Sequence, residues 1–393
     1  MMVGVSVYVI VPARGGSKGI PGKNLRPVGG VPLVARTVAA AVGATMVDRV
    51  FVSTDDDTIA EVAASAGAEI IRRPANLSGD TASSESAVLH ALDAFEADGI
   101  AAPDVIVMMQ CTSPFTESAD VDGTVTLVTS GEADSAFTAA PSHAFLWKRG
   151  ESGAVAVNHD AAVRPRRQDR EPEFVETGAV YAMSTSGFRA SQHRFFGRIG
   201  FHEVAPERAG EIDDPHDLAV AEGLAAALSA GLAAGLPSPV AGLALDFDGV
   251  LTDNRVVTFQ DGSEAVLADR GDGMGIEMLR RAGVPMVVLS KERNPVVAAR
   301  CAKLGLECTQ AIDDKVTAFK QWMTDQGLDP AHVVFVGNDA NDVECLLAAG
   351  CGVVPSDAHP SARAVADVVL TRPGGRGAVR ELADLVLQQS KDG

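Results

Sequence analysis

Apolar runs and helical periodicities alternate along the first half of the chain. VSVYVIV (5–11) is an unbroken apolar run of strand length, and VPLVARTVAAAV (31–42) places its apolar residues at helical spacing. RVFVST (49–54) reads as a second strand, DDTIAEVAASAG (56–67) as a helix closing on glycine, and AEIIRR (68–73) as a third strand. SSESAVLHALDAFEA (83–97) and DVIVMMQ (104–110) repeat the pattern. Alternating elements predict a mostly parallel sheet covered by helices. Ligands of such sheets bind beyond the carboxyl ends of the strands. The loop after the first strand, residues 54–56, Arg73 and QCTSP (110–114) are therefore expected to converge. Residues 219–234 form an Ala/Leu/Gly helical pattern that GLPSPVAG (235–242) breaks, and a new strand–helix series opens with LALDFDGVL. The pattern predicts two α/β domains, 1–230 and 242–393, joined by a linker at 231–241.

The length of 393 residues agrees with more than one domain, and 46% hydrophobic with 22% charged residues is ordinary for a globular chain. Charge changes the picture more: 33 basic against 52 acidic residues leave −19. So acidic a surface repels nucleic acid and anionic lipid, and any anionic substrate needs a local basic pocket. No nucleic-acid partner is expected. Five cysteines without a CxxC pair read as buried thiols of a reducing compartment. The first residues lack the basic segment of a signal peptide, and Pro237 and Pro239 interrupt the most apolar later stretch. A cytoplasmic protein without a membrane span is the expectation.

Into this acidic chain VPARGGSKGIPGKN (11–24) sets Arg14, Lys18 and Lys23 among four glycines. It is no P-loop, because Lys23 is followed by Asn24 rather than Ser or Thr, and it has no G-x-G-x-x-G. What remains is a loop whose backbone N–H groups and cations can wrap a triphosphate. The alternative, a solvated basic turn, fits poorly with three cations in a strongly acidic protein. The loop resembles the ARxGSKG…KN signature of cytidylyltransferases that activate 2-keto-3-deoxy sugar acids, the N-acylneuraminate cytidylyltransferase family in particular. STDD (53–56), RRP (72–74), DTASSESAVLHAL (80–92), QCTSPF (110–115), RRQD (166–169), ETGAVY (176–181) and EIDDPHDL (211–218) extend the resemblance in order over residues 5–225. It implies a Rossmann-like nucleotidyltransferase domain. Arg14, Lys18 and Lys23 would bind the CTP phosphates, Arg14 and Lys23 acting in catalysis, while Asn24, Arg73, Ser83 and Ser84 hold the cytidine. Gln110 and Arg167 would face the sugar acid, and Glu211 and Asp213 would hold Mg²⁺. Glutamate at 211 departs from the two aspartates more usual in the family.

Plainer readings stand beside these. Asp214 suits a helix cap, residues 55–57 read as a strand end and cap, and Arg164, Arg166, Arg167 and Arg170 form a basic run of which part is solvated.

LALDFDGVLTD (243–253) carries Asp246 and Asp248 at the end of an apolar strand, where residues two apart share a face. This stretch, Ser290 after PMVVL, Lys315 in DDK and VVFVGNDANDVECL (333–346) resemble in order the motifs of haloacid dehalogenase superfamily phosphohydrolases. DGVLTD, DRGDGMGIEML (269–279) and GGRGAVREL (374–382) are similar to 3-deoxy-octulosonate 8-phosphate phosphatases, which carry no large cap. The resemblance implies Asp246 as nucleophile, Asp248 as acid and base, and Ser290 and Lys315 gripping the phosphoryl group. Mg²⁺ would be held by Asp246, Asp248 and Asp339, with Asp342 in support, and the chain would be a homotetramer through its C-terminal domain.

The combined expectation is a bifunctional enzyme. One half would remove phosphate from a nonulosonate 9-phosphate, and the other would couple the free acid to CMP from CTP. Alternatives are a cytidylyltransferase with a non-catalytic assembly domain, or one acting on another acid such as an octulosonate. The intact aspartates at 246, 248, 339 and 342 argue against the former.

Overall fold

The computed structural model describes residues 5–17, 19–79, 82–151, 153–163 and 165–392, and side chains as far as 389. The chain divides between Ala225 and Ala226 into two compact units. In the first, seven strands run in the order Ile199–Glu203, Ser135–Ser142, Glu173–Ser184, Val105–Met109, Val7–Pro12, Arg49–Thr54, Glu69–Arg72. Val7–Pro12 lies between two parallel neighbours. Both its faces are covered, which is why its sequence is a continuous apolar run rather than an alternation. Val7, Val9 and Val11 join a core with the helices Leu33–Gly43 and Ser118–Thr129, while Tyr8 and Ile10 face Val88, Leu92 and Phe95 of Ser84–Ala97. Glu173–Ser184 is antiparallel to both neighbours, so the sheet is mixed. Between Glu176 and Tyr181 this strand bulges away from the register of Ser135–Ser142.

The main sheet of the second unit has six strands in the order Glu307–Thr309, Met286–Leu289, Gly242–Leu245, Val333–Val336, Cys351–Val354, Val368–Val369, every pair parallel. Leu243 and Leu245 meet Ile276, Leu279 and Leu382 on one face, and Ala244 meets Phe319 and Trp322 on the other.

The helix Pro215–Ala234 begins four residues before the pattern at 219 and crosses the division between units. Its 20 residues, with hydropathy 1.4, make it the one described helix with the length and composition of a membrane span. Ala221 and Ala225 nevertheless join the first core, and Glu222 accepts a hydrogen bond from the Gly29 N–H. The break at 231–241 is packed rather than a free linker, because Ala233, Leu236 and Val240 are buried in the second core.

Candidate active sites

At the carboxyl edge of the first sheet the expected segments meet. The chain leaving Val7–Pro12 is tied to the next strand by Ala13 N–H to Ser53 O (3.0 Å), and Gly15 N–H reaches Asp55 Oδ1 (3.0 Å). Asn24, buried, donates from Nδ2 to Arg14 O at 3.0 Å and so closes the loop on itself. Arg14 Nη1 donates to Gly79 O at 2.7 Å. Lys23 Nζ donates to Ile212 O at 2.8 Å and lies 3.3 Å from Asp213 Oδ1. Gly19 meets the same segment, where an added Cβ would stand 2.3 Å from Asp213 O, so only glycine lets the two backbones approach this closely. Lys18 lies outside the described residues.

Arg73 is buried, with Nε donating to Ser53 Oγ at 3.1 Å. Burial lowers its pKa, Asp55 opposes that shift, and Arg14 adds to it. Glu211 accepts from Thr112 Oγ1 at 3.1 Å. Burial raises its pKa, with the charges of Asp213 and Glu176 adding, against Thr112 and Lys23. Gln110 is held through its backbone N–H on Ala179 O (3.0 Å), at the bulge.

The structure therefore gathers Arg14, Lys23, Asn24, Arg73, Gln110, Glu211 and Asp213 on one edge. Other expected residues stand differently. Ser83 Oγ caps the following helix by accepting from Ser86 N–H (3.1 Å), and Ser84 is that helix's first residue. Arg167 is exposed in the short turn Arg167–Asp169, and its side chain forms no hydrogen bond or ion pair among the described residues. Within the basic run, Arg166 pairs with Asp169 in the open, whereas Arg170 is buried against Glu173 beneath the ring of Phe145. Arg170 is thus a structural cation. Sequence reasoning passed over Glu176, which accepts from the buried Tyr181 hydroxyl at the bulge. Asp214 is the cap it was expected to be, accepting from His216 and Asp217 N–H at 2.7 and 3.0 Å.

In the second unit a cavity of about 230 Å³ opens beyond Gly242–Leu245, and its lining includes Asp246, Asp248, Ser290 and Asp339. Asn254, Lys291, Glu292, Asn338 and Asn341 complete it, and none of these five was singled out from sequence. Asp248 reaches the cavity from the turn after the strand, which ends at Leu245, so a turn rather than a strand pleat brings the two aspartates together. Lys315 opens the helix Lys315–Asp325 and is buried, its Nζ 2.9 Å from Asp246 Oδ1 and 2.6 Å from Asp342 Oδ1. Burial pulls its pKa down, but the two carboxylates outweigh that and hold the ammonium above its ordinary value. Burial also raises Asp246, with Asp342 adding and Lys315 opposing. Asp248 is raised by burial and by Glu292. Asp342 is fixed from its other oxygen by Asn338 N–H (2.9 Å) and Asp339 N–H (3.3 Å). Ser290 Oγ accepts from Glu292 N–H at 3.1 Å.

Neither site gathers three His, Cys, Asp or Glu side chains into a metal-binding group among the described residues. Both offer oxygen donors of the kind Mg²⁺ takes, and Mg²⁺ commonly uses one or two carboxylates and completes its shell with water and substrate phosphate. The donor chemistry fits that ion.

A cytidylyltransferase family model matches residues 8–197, and a haloacid dehalogenase-like hydrolase model matches residues 293–381. The N-acylneuraminate cytidylyltransferase of Oncorhynchus mykiss is 36% identical over 98% of this chain and 89% of its own length. The 3-deoxy-D-manno-octulosonate 8-phosphate phosphatase of Escherichia coli K12 is 34% identical over 146 residues, 37% of this chain and 78% of that protein. Among solved structures, an HAD family hydrolase from Streptomyces avermitilis is 46% identical, covering 40% of this chain and 91% of its own at a TM-score of 0.39.

Proposed function

This chain belongs to the N-acylneuraminate cytidylyltransferase family, and we propose that it performs two reactions. The first unit transfers CMP from CTP to a nonulosonic 2-keto-3-deoxy sugar acid, and the second hydrolyses the phosphate of the precursor acid, a nonulosonate 9-phosphate. What carries the reading is a pairing: likeness along nearly the whole chain to a sugar-acid cytidylyltransferase, and a second unit that retains Asp246, Asp248, Ser290 and Lys315 about one cavity.

In the first unit the anomeric hydroxyl oxygen attacks the α-phosphorus of CTP, its proton passes to water, and the bond between the α- and β-phosphates breaks to release pyrophosphate. Arg14, Lys18 and Lys23 offset the negative charge of the triphosphate, and Arg167 and Gln110 take the sugar acid, the guanidinium gripping its carboxylate by two hydrogen bonds. In the second unit Asp246 attacks phosphorus, and the ester oxygen leaves with a proton from Asp248. Water, deprotonated by Asp248, then releases phosphate from Asp246. Glu211 and Asp213 in one unit, and Asp246, Asp248 and Asp339 in the other, are the residues that would hold Mg²⁺. When bound, the ion supplies charge neutralisation to the phosphoryl oxygens.

Pyrophosphate release from CTP with a panel of sugar acids, and phosphate release from a panel of sugar-acid phosphates, test the two halves separately. Both activities are expected to vanish with a chelator and return with Mg²⁺. Phosphate release that is absent across the panel would leave only the transferase half.

We further assign assembly as a homotetramer to the second unit. Val256, Val257 and Phe259, on and beside the hairpin Val256–Thr258/Glu264–Val266, are about half exposed and apolar, as a surface covered by a neighbour would be. Light scattering of full-length Val256→Glu/Phe259→Glu is expected to give a lower subunit count than the unmodified chain. An unchanged count removes this surface from the assembly.

A further inference from the structure

The cavity of the second unit is walled largely by acid. Asp246, Asp248, Glu292 and Asp339 line it, and Lys291 is the one cation among the described residues that do so. Lys315 is buried, its ammonium already shared between Asp246 and Asp342 at 2.9 and 2.6 Å. Lys291 differs: it is exposed, and its side chain forms no hydrogen bond or ion pair among the described residues.

The turn that carries Lys291 is held on both sides. Ser290 N–H donates to Thr309 O at 3.0 Å, and Ser290 O accepts from Ile312 N–H at 3.3 Å. Glu292 N–H donates to Ser290 Oγ at 3.1 Å, and Glu292 O accepts from Ala311 N–H at 3.1 Å. The acids that could neutralise Lys291 are engaged elsewhere. Glu292 spends Oε1 on its own backbone, accepting from Arg293 and Asn294 N–H at 2.6 and 2.9 Å. Asp314 feels the Lys291 charge, but its carboxylate accepts from Thr317 N–H and Oγ1 at 3.0 and 2.7 Å. A flexible four-carbon stem therefore starts from a fixed point of the wall, and its ammonium is left without an acid.

Charge decides what such a cavity admits. A phosphoryl group brought to Asp246 is dianionic and meets Lys315 there. A second anionic group on the same molecule meets Asp248, Glu292 and Asp339 unless Lys291 takes it. The chain's net charge of −19 supplies no general field to draw that group in. A compact ammonium with rotatable donors suits a carboxylate presented away from the phosphate. Resting on the reading of this cavity as a phosphatase site, we propose that Lys291 pairs with the carboxylate of the sugar-acid phosphate and so makes the second unit select acid phosphates over neutral sugar phosphates. Lys291 then holds the far end of the substrate and takes no part in bond making at phosphorus.

The test compares two substrates on the full-length chain. Phosphate release would be measured from a nonulosonate 9-phosphate and from the methyl ester of its carboxylate, which keeps the shape and loses the charge. The unmodified chain is expected to favour the acid roughly 10-fold in kcat/KM, through KM, as one charge-assisted hydrogen bond would give. In Lys291→Met that preference is expected to disappear, in Lys291→Arg to persist, and in Lys291→Glu to turn towards the ester. The preference is a ratio taken within one protein, so any loss of folded material cancels from it. A preference that methionine leaves intact overturns the inference. With both rates kept, Lys291 is a solvated side chain; with both lowered equally, it serves the phosphoryl group. An unmodified chain that releases phosphate equally well from acid and ester overturns it too. Release from neither substrate, nor from p-nitrophenyl phosphate, would bring down the phosphatase reading and the inference with it.

Discussion

Lys315 shows how much of the second site depends on one side chain. It is 3% exposed and is the shared partner of Asp246 and Asp342, both of them buried. Replacing it with methionine keeps the volume but leaves two carboxylates facing each other without a cation, a change that costs about 3–5 kcal/mol for a buried pair. Urea unfolding followed by the fluorescence of Trp322, buried in the same unit, is expected to show that loss; a midpoint equal to that of the unmodified chain would show that the pair is not needed for folding. Arg167 tests the opposite situation, an exposed cation whose side chain has no partner among the described residues. Arg167→Ala is expected to raise KM for the sugar acid about 10–100-fold, the equivalent of roughly 1.5–3 kcal/mol for a charge-assisted contact, with CTP binding unchanged. An unchanged KM removes Arg167 from the site. Lys315 was legible because a cation at motif spacing has few structural uses. Asn338, Glu292 and Glu176 were not: nothing in an isolated asparagine or glutamate tells whether its oxygen will be capped, solvated or aimed into a cavity, since packing by distant segments decides that. Ser83 and Arg170 show the reverse, polar groups of site-like type engaged by a helix end and a partly buried ion pair.

At the scale of elements, strand and helix periodicity located four of the first sheet's seven strands to within a few residues, because the central ones are covered on both faces and their composition says so, whereas Ser135–Ser142, Glu173–Ser184 and Ile199–Glu203 were not read from sequence. The bulge between Glu176 and Tyr181 and the antiparallel direction of Glu173–Ser184 were not legible, being set by register with neighbouring strands. Helix pairing in the second unit is another case. Asp272, in the first turn of Arg270–Arg281, accepts from Gly377 and Arg380 N–H at 3.2 and 2.9 Å and so caps the start of Ala378–Asp392. A carboxylate at a helix N-terminus is normally favoured by the dipole. Here burial outweighs that, with the two backbone hydrogen bonds opposing it, and pushes the pKa up to about 6. The folded chain then binds a proton more tightly than the unfolded one, whose aspartate titrates near 3.9. Stability from this group is therefore fully present below pH ~4 and lost as pH rises through about 6. Asp272→Asn cannot titrate. Between pH 7 and pH 5 the unmodified chain is expected to gain about 1 kcal/mol relative to it in urea unfolding. A difference that stays flat over that window would mean that the cap is ionised throughout.

For the whole molecule, what matters is that each unit has its own sheet, with cores on both of its faces and its own set of chemical groups. The apolar residues that position Arg14 and Lys23 belong to clusters around Val7–Pro12, and those that position Asp246 and Lys315 to clusters around Gly242–Leu245. Perturbations at sites without shared partners act independently, so chemistry lost in one unit should leave the other unit's chemistry in place. Asp246→Asn is the cleanest probe. It preserves size and a hydrogen-bonding oxygen while removing the charge proposed to attack phosphorus, and it relieves the carboxylate repulsion around Lys315 rather than stranding a buried ion. The variant is therefore expected to fold, to release no phosphate from a nonulosonate 9-phosphate, and to transfer CMP from CTP at the rate of the unmodified chain. Supplied with the phosphorylated acid and CTP, the unmodified protein should accumulate the CMP-linked acid, and the variant should not. Adding the free acid should restore product in the variant. Product from the phosphorylated acid at equal rates in both proteins would show that the second unit's nucleophile is not Asp246. Loss of transfer from the free acid would show that the two units are coupled.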